Sequence, residues 1–575
     1  MAILGIYEGH SDPSVALINK GKILAFCEEE RPLRFKHAFG IYPERALSYC
    51  LETAGIKMSD VEYVATNWNL DAFTDGRMKN FFDNMNNKYP VDAATLAFQN
   101  RILSIFNKKS YTAKHEMYWR RIFGNVKLPE IHGIPHHYSH AFMACHHSSF
   151  DSALCLTIDG SGDEHCTVIW DYNGDTISPI YSIPMPHSLG WFYAAITEYL
   201  GFDAYDGEYK VMGLAAYGRQ NDELMKKMNT VVKAAPDGVG YEIGTEFIHY
   251  GAHSYSGRFT DALASLFARE PRLPTGPIDS WHEDLAFAAQ KALETAVERL
   301  VDWGLDKLGY DNLCIGGGVG LNVKMNSNLF MNKRVKNIFP HPLCADSGGA
   351  IGAALALDFA MHGSIPEKLD SLSLGHEFSN NEIRAALDIA QLRYEKAENI
   401  CAIVAKELAA GKIVAWFQGR MEGGPRALGN RSILADPRKP DNRDRVNAII
   451  KFREYWRPFC PSMTAEAAPQ YFDRYVDAPF MVIAFTANEK LKKDAPAIVH
   501  VDDSCRVQIV HKETSKLYHS LIKAFEKETG VPVLLNTSFN IKGEPIVCTP
   551  HDALRTFCST GLDILAIGDF LVRKN

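Results

Sequence analysis

Two stretches of the chain share one pattern, and this pattern decides the fold. The first, residues 3–24, reads ILGIYEGHSDPSVALINKGKIL, and the second, residues 154–177, reads LCLTIDGSGDEHCTVIWDYNGDTI. Each predicts an apolar strand, a turn rich in Gly and Asp, a second strand, a turn at glycine and a third strand. Because this pattern of three strands occurs twice in the chain, it indicates a duplicated fold with a cleft between the halves.

The chain is too long for one hydrophobic core, since single cores stop growing near ~250–300 residues. Of the 575 residues, the segment 363–376 carries Pro366, two glycines and three serines, which is typical of a linker. We therefore predict a first domain over 1–362 and a second over 377–575, whose last strands can return to the first. In the second, the predicted strands alternate with helices and indicate another α/β domain; they are Ile413–Phe417, Phe480–Thr486, Val507–Val510 and Val531–Leu535.

The bulk composition narrows the class of protein. The formal net charge is −8, which argues against a diffuse nucleic-acid binder. No apolar run reaches the ~18 residues that a membrane span needs, and the first residues have no basic segment of a signal peptide. Twelve scattered cysteines without a Cys-x-x-Cys pair favour reduced thiols in a cytoplasm.

A cluster of histidines predicts a metal site. Six lie within sixteen residues: His132, His136, His137, His140, His146 and His147. On a helix, His136 and His140 share one face and can bind one metal ion. Asp159 at a strand end and Asp346 in a glycine turn are candidate carboxylate ligands, and such a set suits Fe²⁺, Mn²⁺ or Zn²⁺. The alternative is a polar helix start with solvated histidines.

A basic segment in an acidic chain predicts an anion site. Residues 420–457 contain ten Lys/Arg and five Asp/Glu, with Phe452, Tyr455 and Trp456 between them. Arginine forks match phosphate oxygens, so we expect a pocket for a small anion rather than for nucleic acid. A solvated, salt-bridged surface is the alternative. Polar turns at 316–322, 346–349 and 536–540 offer further contacts for phosphate or ribose.

Eight ordered blocks resemble the NodU/CmcH family of O-carbamoyltransferases over essentially the whole chain. They are Asp12-x-Ser14, Glu28-Glu29-Glu30-Arg31 with Lys36-His37, His136-His137-x-x-His140, Ile158-Asp159-Gly160, Lys210-x-Met212-Gly213-Leu214-Ala215, Gly316-Gly317-Gly318-Val319-x-Leu321-Asn322, Gly424-Pro425-Arg426-Ala427-Leu428-Gly429 and Asn536-Thr537-Ser538-Phe539-Asn540.

The resemblance implies a two-step reaction. A C-terminal domain, similar to the YrdC-like proteins of tRNA threonylcarbamoylation, would make carbamoyl-adenylate from carbamoyl phosphate and ATP, with Mg²⁺. An N-terminal domain with a duplicated actin/sugar-kinase-like (ASKHA) fold would bind Fe²⁺, or another divalent metal, and pass the carbamoyl group to a hydroxyl of a small-molecule natural product. A homodimer is compatible with the sequence.

The resemblance also assigns residues to roles. The metal ligands would be His136, His140, Asp159 and Asp346. The carbamoyl phosphate and ATP site would comprise Arg426, Arg431, Lys451, Arg457, Arg506, Asn536 and Ser538. The adenylate in the first domain would lie near Lys210, Gly317, Gly318 and Asn322. The catalytic residues would be His10, Asp12 and Lys36, with His10 or Asp12 as the base. In the family a histidine often stands directly before this aspartate, whereas here Ser11 intervenes, which leaves the role of His10 open.

Three alternatives remain at the sequence level. A sugar-kinase-like phosphotransferase would need the duplicated cleft but has no use for the histidine pair or the arginine cluster. Threonylcarbamoyl transfer to tRNA uses similar domains, but no basic stripe outside the arginine cluster supports tRNA docking. A non-enzymatic binding protein would not need two anion sites and a metal.

Overall fold

The computed structural model describes residues 2–89, 91–248, 257–451, 454 and 456–574. Phe452, Arg453 and Tyr455 of the predicted anion pocket therefore lie outside the described residues. The chain forms two compact units. The first comprises Met1–Tyr7, Ala16–Ile23 and Ile56–Lys368, and the second comprises Glu8–Val15, Leu24–Gly55 and Leu369–Asn575.

Two five-stranded sheets share one strand order. The first sheet has the order β3-β2-β1-β4-β5, formed by β1 Ala2–Tyr7, β2 Ser14–Asn19, β3 Lys22–Glu28, β4 Val61–Thr66 and β5 Glu130–Gly133. The boundaries between the two units fall within β2, after Val15, and within β3, after Ile23.

The second sheet has the order β12-β11-β6-β7-β8, formed by β6 Ser152–Gly162, β7 His165–Asn173, β8 Thr176–Pro184, β11 Asn312–Gly316 and β12 Asn337–Pro340. A separate pair, β9 Val232–Ala234 and β10 Tyr241–Ile243, is antiparallel.

The two sheets confirm the predicted duplication. In the first, β1 pairs in parallel with β4, and β4 with β5. In the second, β6 pairs in parallel with β11, and β11 with β12. Each sheet thus places its opening strand in the centre, with the next two strands on one side and two parallel strands on the other. The chain has the α/β class expected from the actin/sugar-kinase resemblance.

Helices cover the sheets of the first unit. They are α3 Leu70–Thr74, α4 Arg77–Lys88, α5 Ala93–Ile105, α6 Lys108–Phe123, α7 His136–His147, α8 Leu189–Tyr199, α9 Glu208–Leu214, α10 Asp222–Val231, α11 Asp261–Phe267, α12 Ser280–Leu308, α13 Val323–Met331 and α14 Gly349–His362. The helices α7 and α14 pack closely, because a Cβ atom on Gly352 would lie 2.2 Å from the carbonyl oxygen of Ser139.

The second unit is built on a mixed eight-stranded sheet of order β14-β24-β23-β15-β17-β22-β18-β21. Its strands are β14 Glu395–Lys396, β15 Val414–Phe417, β17 Arg431–Ala435, β18 Cys460–Thr464, β21 Gln508–Val510, β22 Val533–Ser538, β23 Ile564–Ile567 and β24 Phe570–Arg573. Two short pairs complete the strands: β13 Ser373–Glu377 with β16 Arg420–Glu422, and β19 Phe485–Thr486 with β20 Ser504–Cys505.

The helices of this unit are α1 Glu30–Leu33, α2 Glu44–Ala54, α15 Asn380–Ile389, α16 Ile400–Ala409, α17 Pro440–Val446, α18 Ala468–Tyr471, α19 Glu489–Asp494, α20 Lys516–Thr529 and α21 Pro550–Cys558. The core lies where Val404 and Leu408 of α16 and Phe525 of α20 pack with Trp416 of β15.

One predicted strand is largely wrong. Of the predicted strand Phe480–Thr486, only Phe485 and Thr486 are extended and paired. Met481 has a φ of 58°, in the left-handed region, so the chain turns there and cannot continue as a strand. Within the described residues, no helix is long and apolar enough to cross a membrane.

Candidate metal centre and anion site

Four side chains of the first unit converge on one point. The Nε2 atoms of His136 and His140 lie 3.2 Å apart. Oδ2 of Asp159 lies 3.6 Å and 3.4 Å from them, and Oδ1 of Asp346 lies 3.6 Å and 3.8 Å from them. Ligands at about 2.0–2.2 Å from one metal ion are separated from each other by about 2.8–3.6 Å, so these distances are close to those of a metal site.

The chemistry of the four groups also fits a metal. Two imidazoles and two carboxylates form a mixed N/O donor set, and both histidines and Asp159 are buried. Oδ1 of Asp346 is buried and accepts no hydrogen bond from the described residues. A buried carboxylate oxygen without such a donor is costly unless a cation neutralises it. The predicted ligand set is therefore brought together in a geometry that could hold a divalent ion.

Helix α7 places the two histidines, and Asp163 fixes where the helix begins. His136 and His140 are one turn apart and project from the same face. The backbone N–H of His136 donates to Oδ2 of Asp163 at 2.8 Å, and the backbone N–H of Asn69 donates to Oδ1 at 3.0 Å. The carboxylate thus satisfies an N–H at the helix start that has no partner within the helix.

A glycine loop orients Asp159. The backbone N–H of Gly318 donates to Oδ2 of Asp159 at 3.0 Å, and that of Gly160 donates to Oδ1 at 2.8 Å. Gly317 has a φ of +82°, and a Cβ atom there would lie 2.2 Å from the carbonyl oxygen of Ile158. Only glycine therefore allows the loop after β11 to approach the end of β6 this closely.

Tyr7 orients Asp346. This buried tyrosine ends β1, and its hydroxyl donates to Oδ2 of Asp346 at 2.7 Å. The bond leaves Oδ1 directed at the histidines. Neither Tyr7 nor Asp163 was predicted, because a tyrosine at a strand end carries no functional signal in one sequence. Asp163 could have been noticed as the second acidic position in the Asp-Gly-Ser-Gly-Asp turn.

The electrostatics favour a cation at this point. Burial alone would lower the pKa of His136, but Asp159 and Asp346 outweigh it and raise that pKa to about 10. Burial opposes ionisation of Asp346, yet His136 and His140 hold its pKa well below the usual value. The carboxylates therefore create a negative potential strong enough to overcome the desolvation of a positive charge.

Two other histidines of the cluster, His137 and His147, have hydrogen-bond partners inside the protein. His137 is buried, with Nδ1 2.9 Å from Oγ1 of Thr157 and Nε2 3.0 Å from the carbonyl oxygen of His165. His147 pairs with His341 at 2.9 Å. Burial and neighbouring imidazoles lower the pKa of both His137 and His147, so these rings are held neutral.

The predicted adenylate contacts of the first unit lie in different surroundings. Gly317 and Gly318 adjoin Asp159 of the candidate metal site. Asn322 caps α13 and pairs its amide with Gln290 at 3.0 Å in both directions. Lys210 is buried on α9, with Nζ 3.9 Å from Asp206. Of these four residues, the two glycines are the ones that the structure places beside the candidate metal site.

In the second unit, a buried glutamate shapes the loop 424–431. Oε1 of Glu422 accepts hydrogen bonds from the backbone N–H groups of Leu428, Asn430 and Arg431 at 2.8, 2.7 and 3.2 Å. Arg31 donates to the carbonyl oxygen of Gly424 at 2.5 Å. The motif residue Arg31 therefore helps to hold the Gly-Pro-Arg loop, and sequence reasoning missed Glu422 because a single glutamate has no distinctive spacing.

Strand β22 brings two predicted anion ligands into polar networks. Nζ of Lys451 donates to Oγ of Ser538 at 3.2 Å and to Oδ1 of Asn540 at 2.7 Å. The amide nitrogen of Asn536 donates to the carbonyl oxygen of Ala427 at 3.1 Å and to Oγ of Ser462 at 2.9 Å. Lys451 and Ser538 thus form one group, and Asn536 is tied to the Gly-Pro-Arg loop.

The predicted arginines do not share one environment. Arg431 is buried, donates to the carbonyl oxygens of Gln418 and Gly419, and lies 3.6 Å from the ring centre of Phe417. It therefore supports the loop. Arg457 lies 3.5 Å from Glu454, and Nε of Arg506 lies 2.9 Å from Sγ of Cys460. Arg426 is half-buried in the loop itself.

The predicted catalytic residues His10, Asp12 and Lys36 belong to the second unit. Lys36 begins a 3-10 turn over Lys36–Ala38. Nδ1 of His37, the next residue, lies 2.9 Å from Oδ1 of Asp12. The ring of His10 lies 5.1 Å from that of Phe39. His37 was quoted within a motif but was not predicted as a site residue, because its partner lies 25 positions earlier.

Family models match almost the whole chain. The model described as "Carbamoyltransferase N-terminus" covers residues 2–355, and that described as "Carbamoyltransferase C-terminus" covers residues 405–574.

Curated relatives also extend over the full length. An uncharacterized protein of Synechocystis sp. is 36% identical over 100% of this chain and 96% of that protein. Nodulation protein NolNO of Sinorhizobium fredii is 35% identical over 98% of this chain and 79% of that protein. Nodulation protein U of Rhizobium tropici is 27% identical over 94% of this chain and 91% of that protein.

Among solved structures, component A of the (R)-2-hydroxyglutaryl-CoA dehydratase of Acidaminococcus fermentans aligns with 62% of this chain and 97% of its own, at 14% identity and a TM-score of 0.34. A ROK hexokinase of Thermus thermophilus aligns with 62% of this chain and 100% of its own, at 12% identity and a TM-score of 0.27.

Proposed function

Because the chain belongs to the carbamoyltransferase family, we propose that it makes carbamoyl-adenylate from carbamoyl phosphate and ATP and then carbamoylates a hydroxyl of a small-molecule natural product. The observation that carries the proposal is the convergence of His136, His140, Asp159 and Asp346. These residues come from α7, the end of β6 and the turn before α14, so the site depends on both halves of the duplicated fold.

The first half of the reaction activates the carbamoyl group. Water cleaves carbamoyl phosphate to carbamate and phosphate, and a carbamate oxygen attacks the α-phosphorus of ATP, which carries Mg²⁺. Pyrophosphate leaves, and carbamoyl-adenylate remains. In this proposal Arg426, Lys451, Arg457 and Arg506 neutralise the phosphate oxygens as bonds break. Asn536, tied to the Gly-Pro-Arg loop, and Ser538, bonded to Lys451, line the same site. Arg431 acts indirectly by supporting the loop that carries Arg426.

The second half transfers the carbamoyl group. His136, His140, Asp159 and Asp346 would hold a divalent metal, Fe²⁺ in our proposal, and its positive charge would neutralise the phosphate of the adenylate. Gly317, Gly318, Asn322 and Lys210 would contact the adenylate.

The acceptor hydroxyl attacks the carbonyl carbon, and the bond to AMP breaks. A base must take the hydroxyl proton, for which the sequence offers His10 or Asp12, and Lys36 would supply positive charge.

Separating the two half-reactions tests the proposal. His136→Ala should abolish carbamoyl transfer, because the metal site loses a ligand, while carbamoyl phosphate-dependent exchange of labelled pyrophosphate into ATP continues. Arg457→Ala should reduce both by at least ~100-fold, because phosphate oxygens lose a charged partner. His146→Gln, on the same helix but outside the ligand set, is the matched control and should retain both activities.

Two results would refute the scheme. If His136→Ala lost pyrophosphate exchange and Arg457→Ala kept it, the assignment of half-reactions would be reversed. If the wild-type protein released ADP instead of AMP from ATP, its activity would be that of a kinase-like phosphotransferase and not that of a carbamoyltransferase.

A further inference from the structure

The segment Asn67-Trp68-Asn69, which directly follows β4, holds His136 in three ways. Nδ2 of Asn67 lies 3.4 Å from Nδ1 of His136. The ring of Trp68 lies 5.2 Å from the imidazole and is tilted by 42° against it. The backbone N–H of Asn69 donates to one oxygen of Asp163, whose other oxygen accepts the backbone N–H of His136. One short segment therefore fixes the backbone, the ring plane and the outer nitrogen of this histidine.

Asn67 is enclosed between helix α7 and the turn that carries Asp346. It is completely buried. A Cβ atom on Gly349 would lie 2.2 Å from Nδ2 of Asn67 and 2.7 Å from its Cγ. Gly349 begins α14, three positions after Asp346. The amide thus has almost no room to move, and it lies against both segments that supply these two candidate ligands.

The amide of Asn67 can face His136 with either of its polar atoms. Oδ1 of Asn67 is buried and has no hydrogen-bond partner among the described residues. The oxygen and nitrogen of an amide have nearly the same size, so a half-turn about the Cβ–Cγ bond exchanges them within the same space. Either orientation leaves one amide atom without a partner on the far side, so the choice is decided at Nδ1 of His136.

A metal on Nε2 of His136 favours the amide oxygen. Asp159 and Asp346 each place an oxygen 3.6 Å from Nε2, so Nε2 is the atom directed at the candidate metal. A neutral imidazole that binds a metal through Nε2 carries its proton on Nδ1 and needs an acceptor there. The amide oxygen can accept this bond, whereas the amide nitrogen can only donate.

We propose that Asn67 is a positioning residue of the candidate metal centre, whose Oδ1 accepts the Nδ1–H of His136 and holds Nε2 towards the metal. This inference rests on the proposed function, because it assumes that the four ligands bind a divalent ion. His140 provides a contrast, since its Nδ1 is buried without a hydrogen-bond partner in the part of the chain that the structure describes. Of the two histidines, His136 is therefore the one that an outer hydrogen bond orients.

Asn67→Asp and Asn67→Leu separate this role from packing. Both side chains keep the branched shape of asparagine, but an ionised aspartate only accepts hydrogen bonds and leucine makes none. Competitive titration of Zn²⁺ against a chelator should show an affinity about 10–100-fold weaker in Asn67→Leu. Asn67→Asp should bind at least as tightly as wild type, because a carboxylate on the outer nitrogen strengthens a histidine ligand.

Asn312→Leu is the matched control for the loss of an amide. Asn312 lies in the same unit, where its amide donates to the carbonyl oxygen of Ser152 at 3.0 Å and accepts from Asn337 at 2.9 Å. It contacts none of the four candidate ligands through these bonds, so Asn312→Leu should bind Zn²⁺ within about threefold of wild type.

Electron spin-echo spectroscopy of the Cu²⁺-loaded protein gives a readout that packing alone would not change. The method measures the quadrupole coupling of the imidazole nitrogen remote from the metal, which depends on the hydrogen bond of that nitrogen. Asn67→Asp and Asn67→Leu should shift one remote-nitrogen coupling in opposite directions. The reason is that Nδ1–H of His136 is bonded more strongly by a carboxylate and is left unbonded by leucine.

Gly349→Ala reaches Asn67 from its other side. The added methyl group would occupy the space of the amide and should displace it, so Zn²⁺ affinity should fall by about tenfold or more. In an Asn67→Ala background, Gly349→Ala should lower the affinity by no more than about threefold, because the displaced amide is already missing. Equal losses in both backgrounds would show that Gly349 acts on the site without Asn67.

Three results would overturn the inference: Zn²⁺ affinity of Asn67→Leu equal to wild type, equal losses in Asn67→Asp and Asn67→Leu, or an unchanged remote-nitrogen coupling in both. Failure of the proposed function looks different. A wild-type protein that binds Zn²⁺ with this order of variants but releases no AMP from ATP and carbamoyl phosphate would refute the proposed function and leave the role of Asn67 standing.

Discussion

Tyr7 shows how a residue without catalytic chemistry can control a site. Its hydroxyl bonds Oδ2 of Asp346 at 2.7 Å, which leaves Oδ1 for the histidines. Hydrogen bonds of this kind hold a metal-binding carboxylate in one orientation, and their loss weakens metal binding even when all ligands remain. Asp163 has a comparable role for His136, because it holds the start of α7.

Tyr7→Phe should weaken metal affinity by about 10–100-fold, because Asp346 loses the bond that orients it. The measurement is a competitive titration of Fe²⁺ or Zn²⁺ against a chelator, which does not depend on activity. Tyr111→Phe is the matched control, because it removes a buried hydroxyl that bonds Thr66 at 2.9 Å in the same unit. Equal affinities of Tyr7→Phe and wild type would show that this bond does not support the site.

At the scale of elements, helix α2 has a cap that comes from a distant part of the sequence. Glu29 is buried, and its carboxylate accepts the backbone N–H groups of Ala46 at 2.6 Å and Arg45 at 3.3 Å. These are N–H groups of the first helical turn, which have no partner within the helix. Burial raises the pKa of Glu29 to about 7, although the two backbone N–H groups oppose this effect.

The raised pKa predicts a pH dependence of helix α2. Between pH 4.5, the ordinary pKa, and about pH 7, Glu29 binds more protons in the folded state than in the unfolded state. Its contribution to the free energy of unfolding is therefore greatest below pH 4.5 and is lost as the pH rises through 7. The decline attributable to Glu29 should be on the order of 3 kcal/mol, since one pKa unit corresponds to about 1.4 kcal/mol.

Glu29→Gln should flatten this decline, because the amide oxygen can still accept an N–H but carries no charge. Hydrogen exchange of residues 44–54 between pH 5 and 8, corrected for the intrinsic rate, measures the effect. Glu44→Gln removes an acid at the same helix end and should keep the wild-type slope. An unchanged slope in Glu29→Gln would assign the pH dependence to another group.

At the scale of the whole molecule, the second unit is discontinuous in sequence. Residues 24–55 belong to it although more than 300 positions separate them from Leu369. Arg31 binds the carbonyl oxygen of Gly424, and Arg34 binds those of Pro545 and Ile546 at 2.9 and 2.7 Å. These contacts satisfy buried carbonyl groups that would otherwise be exposed or unpaired.

A fragment of residues 369–575 should therefore fold poorly, with a thermal midpoint at least ~5 °C below that of the intact chain, because it loses these bonds and the packing of residues 24–55. The control is the full chain cleaved once within residues 363–372, which keeps every non-covalent contact and should melt like the intact protein. Scanning calorimetry measures both. A fragment as stable as the cleaved chain would show that residues 24–55 are dispensable.

The sequence by itself predicted the duplication, which the two sheets confirm, and it predicted the four candidate metal ligands that the structure brings together. Local patterns sufficed to predict the duplication, because strands and tight turns are encoded by neighbouring residues. The His-x-x-x-His spacing gave two candidate ligands, since positions four apart share a helix face. Asp159 and Asp346 lie 187 positions apart and have no spacing rule; a strand end and a glycine turn made them candidates, and the family resemblance assigned them the same role.

Only the tertiary structure decided the partners of these residues. It joined Tyr7 to Asp346, Asp12 to His37 and Arg31 to Gly424, and it showed that Arg431 holds a loop from within the core. The strand predicted at Phe480 failed for a related reason, because a left-handed turn at Met481 is invisible in an apolar run. Contacts between distant residues depend on how strands and helices pack, and local sequence patterns carry no record of that packing.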